Sequence, residues 1–338
     1  MVAVSVLMPC FNAANTIEES LRSIAAQTHR DFEVILVDDG SQDKTLQILK
    51  RWQASDPRFR AISIAHGGII TALNAGLAAC KGGYVARMDA DDISMPSRLE
   101  KQAGYLDAHT DIALVSCLVR GFPENEVRAG FRIYIDWLNS LATHDEMQKQ
   151  LFVESPVAHP SVMFRRDVVQ GLGAYQEHGW AEDYDLWLRM SLAGRRFAKI
   201  PEALLEWREH PERLTRTDSR YSLENFLRAK AHYLMQGPLS GGQPLVIWGA
   251  GMMGKRLSKY LLREGANIIA FIDVDEKKIG GTRRKRPIVS PDDLPALLEE
   301  DAKPVVLAAV GARGARQLIR DRLEQMKLAE GRDWWAVA

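Results

Sequence analysis

Apolar residues in the amino-terminal part of the chain fall into two alternating patterns. Residues 2–8 form a nearly unbroken apolar run, as expected of a strand covered on both faces. Residues 34–37, 61–64 and 84–88 form further short runs of the same kind. Between them, apolar positions recur at helical spacing: Ile17, Leu21, Ile24 and Ala25, then Leu46, Leu49 and Trp52, then residues 70–79. Thr16-Ile17-Glu18-Glu19 fits a capping box, in which hydroxyl and carboxylate satisfy orphan amides at a helix start. Strands alternating with helices predict a parallel sheet with right-handed crossovers. Residues 121–153 lose this regularity and read as a helical insertion. Residues 186–192 read as a helix closed by Gly194.

A breaker-rich stretch over residues 236–244 reads as a linker. Beyond it the pattern restarts with a strand at 245–248, a glycine-rich turn, a helix, and strands at 268–272 and 305–310. The expected architecture is therefore α/β throughout, with one domain over residues 1–236 and a smaller one over 243–338. Charge supports the division. Residues 237–338 hold 17 basic and 13 acidic residues, a net of +4, leaving 27 and 31, a net of −4, for residues 1–236.

The whole 338-residue chain has 44 basic and 44 acidic residues. Zero net charge argues against a nucleic-acid partner, which needs an excess of cations. Apolar residues at 46% and charged residues at 26% are ordinary globular values, away from disorder. The cysteines, Cys10, Cys80 and Cys117, have no zinc or disulfide spacing and fit a reducing compartment. No apolar run approaches the ~20 residues that span a bilayer, and the amino terminus lacks the basic region of a signal peptide. A cytoplasmic protein is expected.

In open parallel sheets the carboxyl ends of the strands line the ligand crevice. Three strand ends here carry Pro9-Cys10-Phe11-Asn12, Asp38-Asp39-Gly40-Ser41 and Asp89-Ala90-Asp91-Asp92. Three carboxylates within four residues repel one another unless a cation neutralises them. A hard divalent cation takes few carboxylates and fills its other positions with phosphate oxygens and water. The alternative is a solvated acidic turn before a helix. Asp39 could accept hydrogen bonds from a base or ribose, or simply shape a turn. Glu182-Asp183 precedes a helix and could supply a general base, or only a first-turn acid.

Taken together, these motifs resemble family 2 glycosyltransferases. The resemblance runs from residue 2 to about 210 and includes His159-Pro160-Ser161-Val162-Met163 and Asp183-Tyr184-Asp185-Leu186-Trp187. It implies a GT-A nucleotide-diphospho-sugar transferase fold and an inverting, metal-dependent transfer from a nucleoside-diphosphate sugar, UDP-linked by preference. By the same resemblance Pro9 and Asp39 would hold the nucleobase, Asp89 and Asp91 the Mn²⁺ or Mg²⁺ ion and diphosphate, and Asp183 would be the general base. Arg87, Asp92, His159, Trp180, Glu182, Arg208 and His210 are implied around the sugar, acceptor and diphosphate. His159 reads equally as a buried histidine packed beside Pro160. Leu73 stands where many members carry arginine, so any contact from that position is lost, with Arg87 as candidate substitute. The acceptor would be a glycan or lipid-linked sugar in surface polysaccharide or glycolipid synthesis, placing the enzyme in the cytoplasm, peripherally at the inner face of the membrane.

In the second domain Gly249, Gly251 and Gly254 fit G-x-G-x-x-G between strand and helix, and Asp273 ends the next strand. That is the context of a dinucleotide fingerprint. The domain is expected to be Rossmann-like, with bound nucleotide and a bare scaffold both open. Arg283-Arg284-Lys285-Arg286 reads as a solvated loop or as a contact for anionic lipid. Two other functions remain open on these residues: a nucleotide-sugar-binding protein without turnover, and an NAD-type oxidoreductase in the carboxyl-terminal domain.

Overall fold

In a computed structural model, which describes residues 2–299, 303–312 and 314–338, the leading apolar run becomes strand β1 (Val4–Cys10), buried at every position. The next three strands are β2 (Phe32–Asp39), β3 (Phe59–Ile64) and β4 (Tyr84–Arg87). Helices Ile17–Ala25, Thr45–Ser55 and Ile69–Ala79 connect them as the crossovers that parallel pairing requires. The sheet is completed by β5 (Ile93–Ser94), β6 (Ile112–Phe122), β7 (Met163–Arg165) and β8 (Arg196–Arg208). Its order is β3-β2-β1-β4-β7-β6-β8-β5, with β7 antiparallel to β4 and β6 and β5 antiparallel to β8. The strands either side of β1 run parallel to it, so the ends of β1, β2 and β4 open on one edge.

The chain divides into two compact units. The first holds residues up to Met147, then Pro156–His178 and Glu182–Thr217. The second holds Gln148–Ser155, Gly179–Ala181 and Asp218–Ala338. The irregular stretch contains helix Ala129–Ser140, in the first unit, and helix His144–Gln150, as its pattern predicted. Gly194 closes helix Glu182–Leu192 with a φ of 67°. Cys10, Cys80 and Cys117 are all buried and free.

The capping box is not formed. Thr16 makes no side-chain cap at helix Ile17–Ala25; its hydroxyl instead donates to the Ala90 carbonyl at 3.1 Å, and Glu19 pairs with Arg208. Thr16 is drawn away by the acidic loop after β4, and Glu19 by the end of β8. The long pair β6 and β8 was also not legible in the sequence, because Arg120-Gly121 and the Pro201-Glu202 break interrupt their apolar runs.

The second unit has strands β9 (Leu245–Trp248), β10 (Ile268–Ile272), β11 (Thr282–Arg283), β12 (Arg286–Val289), β13 (Val305–Ala308) and β14 (Trp334–Ala336). Its sheet order is β11-β12-β10-β9-β13-β14. All but β11 are parallel to their neighbours, so counting from β9 the parallel strands lie 3-2-1-4-5. This is the doubly wound order. Among the described residues no helix is long and apolar enough to cross a membrane.

Candidate active site

Backbone geometry at the ends of β1 and β2 welds two motif loops together. Asn12, at φ 48°, donates its amide to Ser41 Oγ (3.0 Å) and accepts the Gln42 amide on Oδ1 (2.9 Å). Pro9 is buried opposite Val37 in the register. The Asp39 carboxylate accepts the amides of Gly67 (2.8 Å) and Gly68 (2.9 Å), one on each oxygen. His66 lies 2.9 Å from the same carboxylate and stacks on Phe11, ring centroids 4.3 Å apart. Phe11 is 47% exposed, so this stack leaves an aromatic face at the crevice. Phe11 lies in the strand-end motif Pro9-Cys10-Phe11-Asn12 but had no role assigned to it, and His66-Gly67-Gly68 follows the carboxyl end of β3, a signal that was available.

Beyond β4, one ligand oxygen from each of Asp89, Asp91 and Asp92 lies within 4.8 Å of the others. Asp92 is buried; its Oδ1 accepts the Arg208 amide at 2.8 Å, while Oδ2 has no hydrogen-bond partner among the described residues. Burial, then the charges of Asp91 and Asp89, push the Asp92 carboxyl well above the usual range. Desolvation also raises Asp89, against the lowering effect of Arg87, with which it is ion-paired. An orphaned buried oxygen in a crowded carboxylate triplet is a donor set that a hard divalent cation would satisfy.

The segment after β8 folds over this triplet. Arg208 Nε donates to the Asp91 carbonyl at 2.6 Å, and its guanidinium lies 4.4 Å from the Phe122 ring centre. His210 Nε2 is 2.8 Å from Asp91 Oδ2, and this hydrogen bond raises its pKa. Both residues that the sequence placed near the diphosphate thus contact the acidic loop itself.

A second cluster adjoins the first through Arg87, which is 3% exposed. Its charge is felt by His159 and Tyr175, and it in turn feels Tyr175 and Glu182. His159 is buried with Nε2 2.9 Å from the Tyr175 hydroxyl and Nδ1 3.8 Å from Glu182. Burial, reinforced by Arg87, drives the His159 pKa well down, so the imidazole is neutral. Burial likewise raises Tyr175, and the charges of Glu182 and Asp183 add to that. Tyr175 is held by Asn74, which bonds both its carbonyl and its amide. Asp183 sits half-buried in the first turn of helix Glu182–Leu192, its Oδ1 accepting the Tyr184 amide at 2.7 Å. Arg87, Tyr175 and His159 therefore link the triplet to Asp183. Tyr175 was not legible in the sequence, since it stands alone between Ala174 and Gln176. Leu73, at the arginine position of the resembled pattern, is fully buried.

Trp180 is placed in the second unit, against Arg228, His232 and Tyr233. In that unit a Cβ on Gly249 would lie 2.8 Å from the Ala309 carbonyl oxygen, and one on Gly254 1.9 Å from the Gly249 oxygen. Both glycines are demanded by backbone packing; Gly251 faces open space. Asp273 accepts the Ala250 amide at 3.0 Å and is ion-paired with Lys278 at 3.1 Å, so its oxygens are engaged within the unit.

Residues 5–173 match the family model described as Glycosyl transferase family 2. The chain is 33% identical over 207 residues to the amylovoran biosynthesis glycosyltransferase AmsE of Erwinia amylovora, covering 60% of this chain and 75% of that protein. It is 31% identical over 236 residues to the O-antigen biosynthesis glycosyltransferase WbnJ of Escherichia coli, covering 67% and 90%. Among solved structures it is similar to S. aureus TarS 1–349 in complex with UDP-GlcNAc, with a TM-score of 0.55 at 20% identity over 77% of this chain and 72% of that one. At that identity the likeness speaks for a shared fold, the GT-A architecture expected from the motifs.

Proposed function

The chain belongs to glycosyl transferase family 2, and on that premise we propose that it transfers a sugar from a nucleoside-diphosphate donor to an acceptor hydroxyl with inversion at the anomeric carbon. The observation that supports this most directly is the join between two acidic groups. Asp89 is ion-paired with Arg87, and Arg87 shares with Asp183 the electrostatic environment of Tyr175.

In this reading Pro9, Asp39 and the Phe11–His66 stack hold the nucleobase. Asp89, Asp91 and the orphaned Asp92 oxygen would hold a Mn²⁺ or Mg²⁺ ion. When bound, that ion supplies Lewis-acid stabilisation for the departing diphosphate. Arg208 and His210 add positive charge beside the same loop, where electrostatic preorganisation is worth most. Asp183 accepts the proton that the acceptor hydroxyl loses as it attacks. Arg87 and the neutral His159–Tyr175 pair keep Glu182 and Asp183 in place without taking that proton. Attack opposite the leaving group needs no covalent intermediate.

The names of AmsE and WbnJ support a polysaccharide or O-antigen as the product class, and the TarS complex with UDP-GlcNAc lends support to a UDP-linked donor. The acceptor is then a glycan or lipid-linked sugar met at the inner face of the membrane. Residues 1–236 form the transferase domain, and 243–338 an accessory Rossmann-like domain.

Asp183→Asn is the test. It removes the base while keeping shape, so turnover should fall by roughly 10²–10⁴-fold. Donor binding, read by thermal shift with UDP-sugars and Mn²⁺, should persist. Transfer at the native rate would remove Asp183 from its role.

A further inference from the structure

One face of helix Met252–Arg263 is turned away from the core of the second unit. Gly254, Leu257, Tyr260 and Leu261 are buried, whereas Met252, Lys255, Arg256 and Lys259 follow one another at i, i+3, i+4 and i+7 on the other side. Arg284 joins them from the tip between β11 and β12, where Arg284 and Lys285 take φ values of 51° and 61°. Its guanidinium donates to the Lys255 carbonyl at 3.2 Å, fixing the tip against the helix. These residues and Glu224 line an open cleft of about 290 Å³. Glu224 is ion-paired with Arg256 at 3.6 Å, while no acid among the described residues pairs with Lys255, Lys259 or Arg284.

We propose that this face docks the protein on an anionic lipid surface, with Met252 entering the headgroup layer and Lys255, Lys259 and Arg284 meeting lipid phosphates. Two features favour a lipid surface over a single soluble phosphate. The cations Lys255, Arg256 and Lys259 run along about 6 Å of helix at 1.5 Å per residue and continue to Arg284 on the adjoining tip, a spread wider than one phosphate. Met252 is 66% exposed among them, an arrangement with an apolar prow and a basic rim. Of the four-cation run that first suggested such a contact, Arg283 is turned inward to the Ala250 carbonyl at 3.1 Å. The surface is thus built mainly by the helix. This deepens the proposed meeting with a lipid-linked acceptor, but its test needs neither donor nor turnover, so the two readings fail separately.

The full chain should co-sediment with vesicles of phosphatidylcholine mixed with phosphatidylglycerol and not with phosphatidylcholine alone. A basic residue near such a surface is worth about 1 kcal/mol, or about fivefold in partition. Lys255→Gln, Lys259→Gln and Arg284→Gln together should therefore weaken binding by about a hundredfold. Met252→Gln should weaken it at unchanged charge. The double change Lys255→Arg and Lys259→Arg should bind as the native chain does, which separates charge from folding. Three results would overturn the proposal: equal binding by the glutamine variant, equal binding to neutral vesicles, or release by inorganic diphosphate at matched ionic strength, which would mark a small-anion site instead.

Discussion

His159 shows how one side chain can report on a buried cluster. Its imidazole is neutral in the folded protein, held so by burial and by Arg87, whereas in the unfolded chain it titrates near 6.5. Below that pH the unfolded chain takes up a proton that the native cluster refuses, so stability must fall as pH drops through about 6.5. Thermal melts from about pH 7.5 down to 5 should show this fall, and His159→Gln should flatten it relative to the native chain. An unchanged slope would mean that the imidazole is charged in the fold. The same cluster marks what was readable at this scale. Asp89, Asp91, Asp92 and Glu182-Asp183 sit at ends of elements whose periodicity is plain, so position and chemistry could be read together. Tyr175 joins the site through tertiary contact alone, and a lone aromatic between loops has no spacing to betray it, whereas Phe11 and His66 follow strand ends and only their stacking was hidden.

Among the elements, the glycine-rich turn of the second unit separates a packing role from a binding role. Gly249 and Gly254 touch backbone so closely that a methyl group has no room, whereas Gly251 adopts φ −74° beside open space. Gly254→Ala forces helix Met252–Arg263 off β9, and overpacking of this kind costs about 1–3 kcal/mol or more. Gly251→Ala should leave the melting midpoint nearly unchanged. Chemical denaturation of the two variants checks the contrast; equal midpoints would show that the helix yields without cost. Strands β1–β4, β9, β10 and β13 were legible because they are apolar runs, whereas β5, β7, β11, β12 and β14 are pieces of two to four residues with no period of their own. Two further features were hidden for a shared cause. β6 and β8 run into polar outer ends that pair with each other, and the Thr16–Glu19 cap is spent on the Ala90 carbonyl and on Arg208 instead of on its own helix. Local pattern carries no trace of a distant loop's demand.

At the scale of the molecule, the linear boundary read near residue 236 meets a second unit assembled from three stretches of chain. Gln148–Ser155 and Gly179–Ala181 belong to it although they precede the linker by many residues. Helix Leu223–Gln236 receives both: Lys230 Nζ donates to the Val153 carbonyl at 2.7 Å, and Trp180 lies against Arg228, His232 and Tyr233. Lys230 is buried deeply enough that its pKa falls to about 8, and it also donates to the Val337 carbonyl at 3.1 Å near the chain's end. No composition shift could reveal these insertions, because a few residues carry too little pattern to mark a change of partner. They do set where the chain can be cut. A fragment ending at residue 217 strands Trp180 without its aromatic and cationic neighbours, and Trp180 stands three residues before Asp183. A fragment ending at residue 236 keeps helix Leu223–Gln236 with its contacts to Trp180 and Val153, though it loses that helix's packing on helix Met252–Arg263, the Glu224–Arg256 and His232–Glu264 ion pairs, and the Val337 contact of Lys230. The fragment 1–236 should therefore melt higher than 1–217, and retain more donor-dependent turnover, because the segment leading into helix Glu182–Leu192 keeps its anchorage. Equal melting and equal turnover for the two fragments would show that residues 179–181 need no partner, and that the base is positioned by the first unit's own packing.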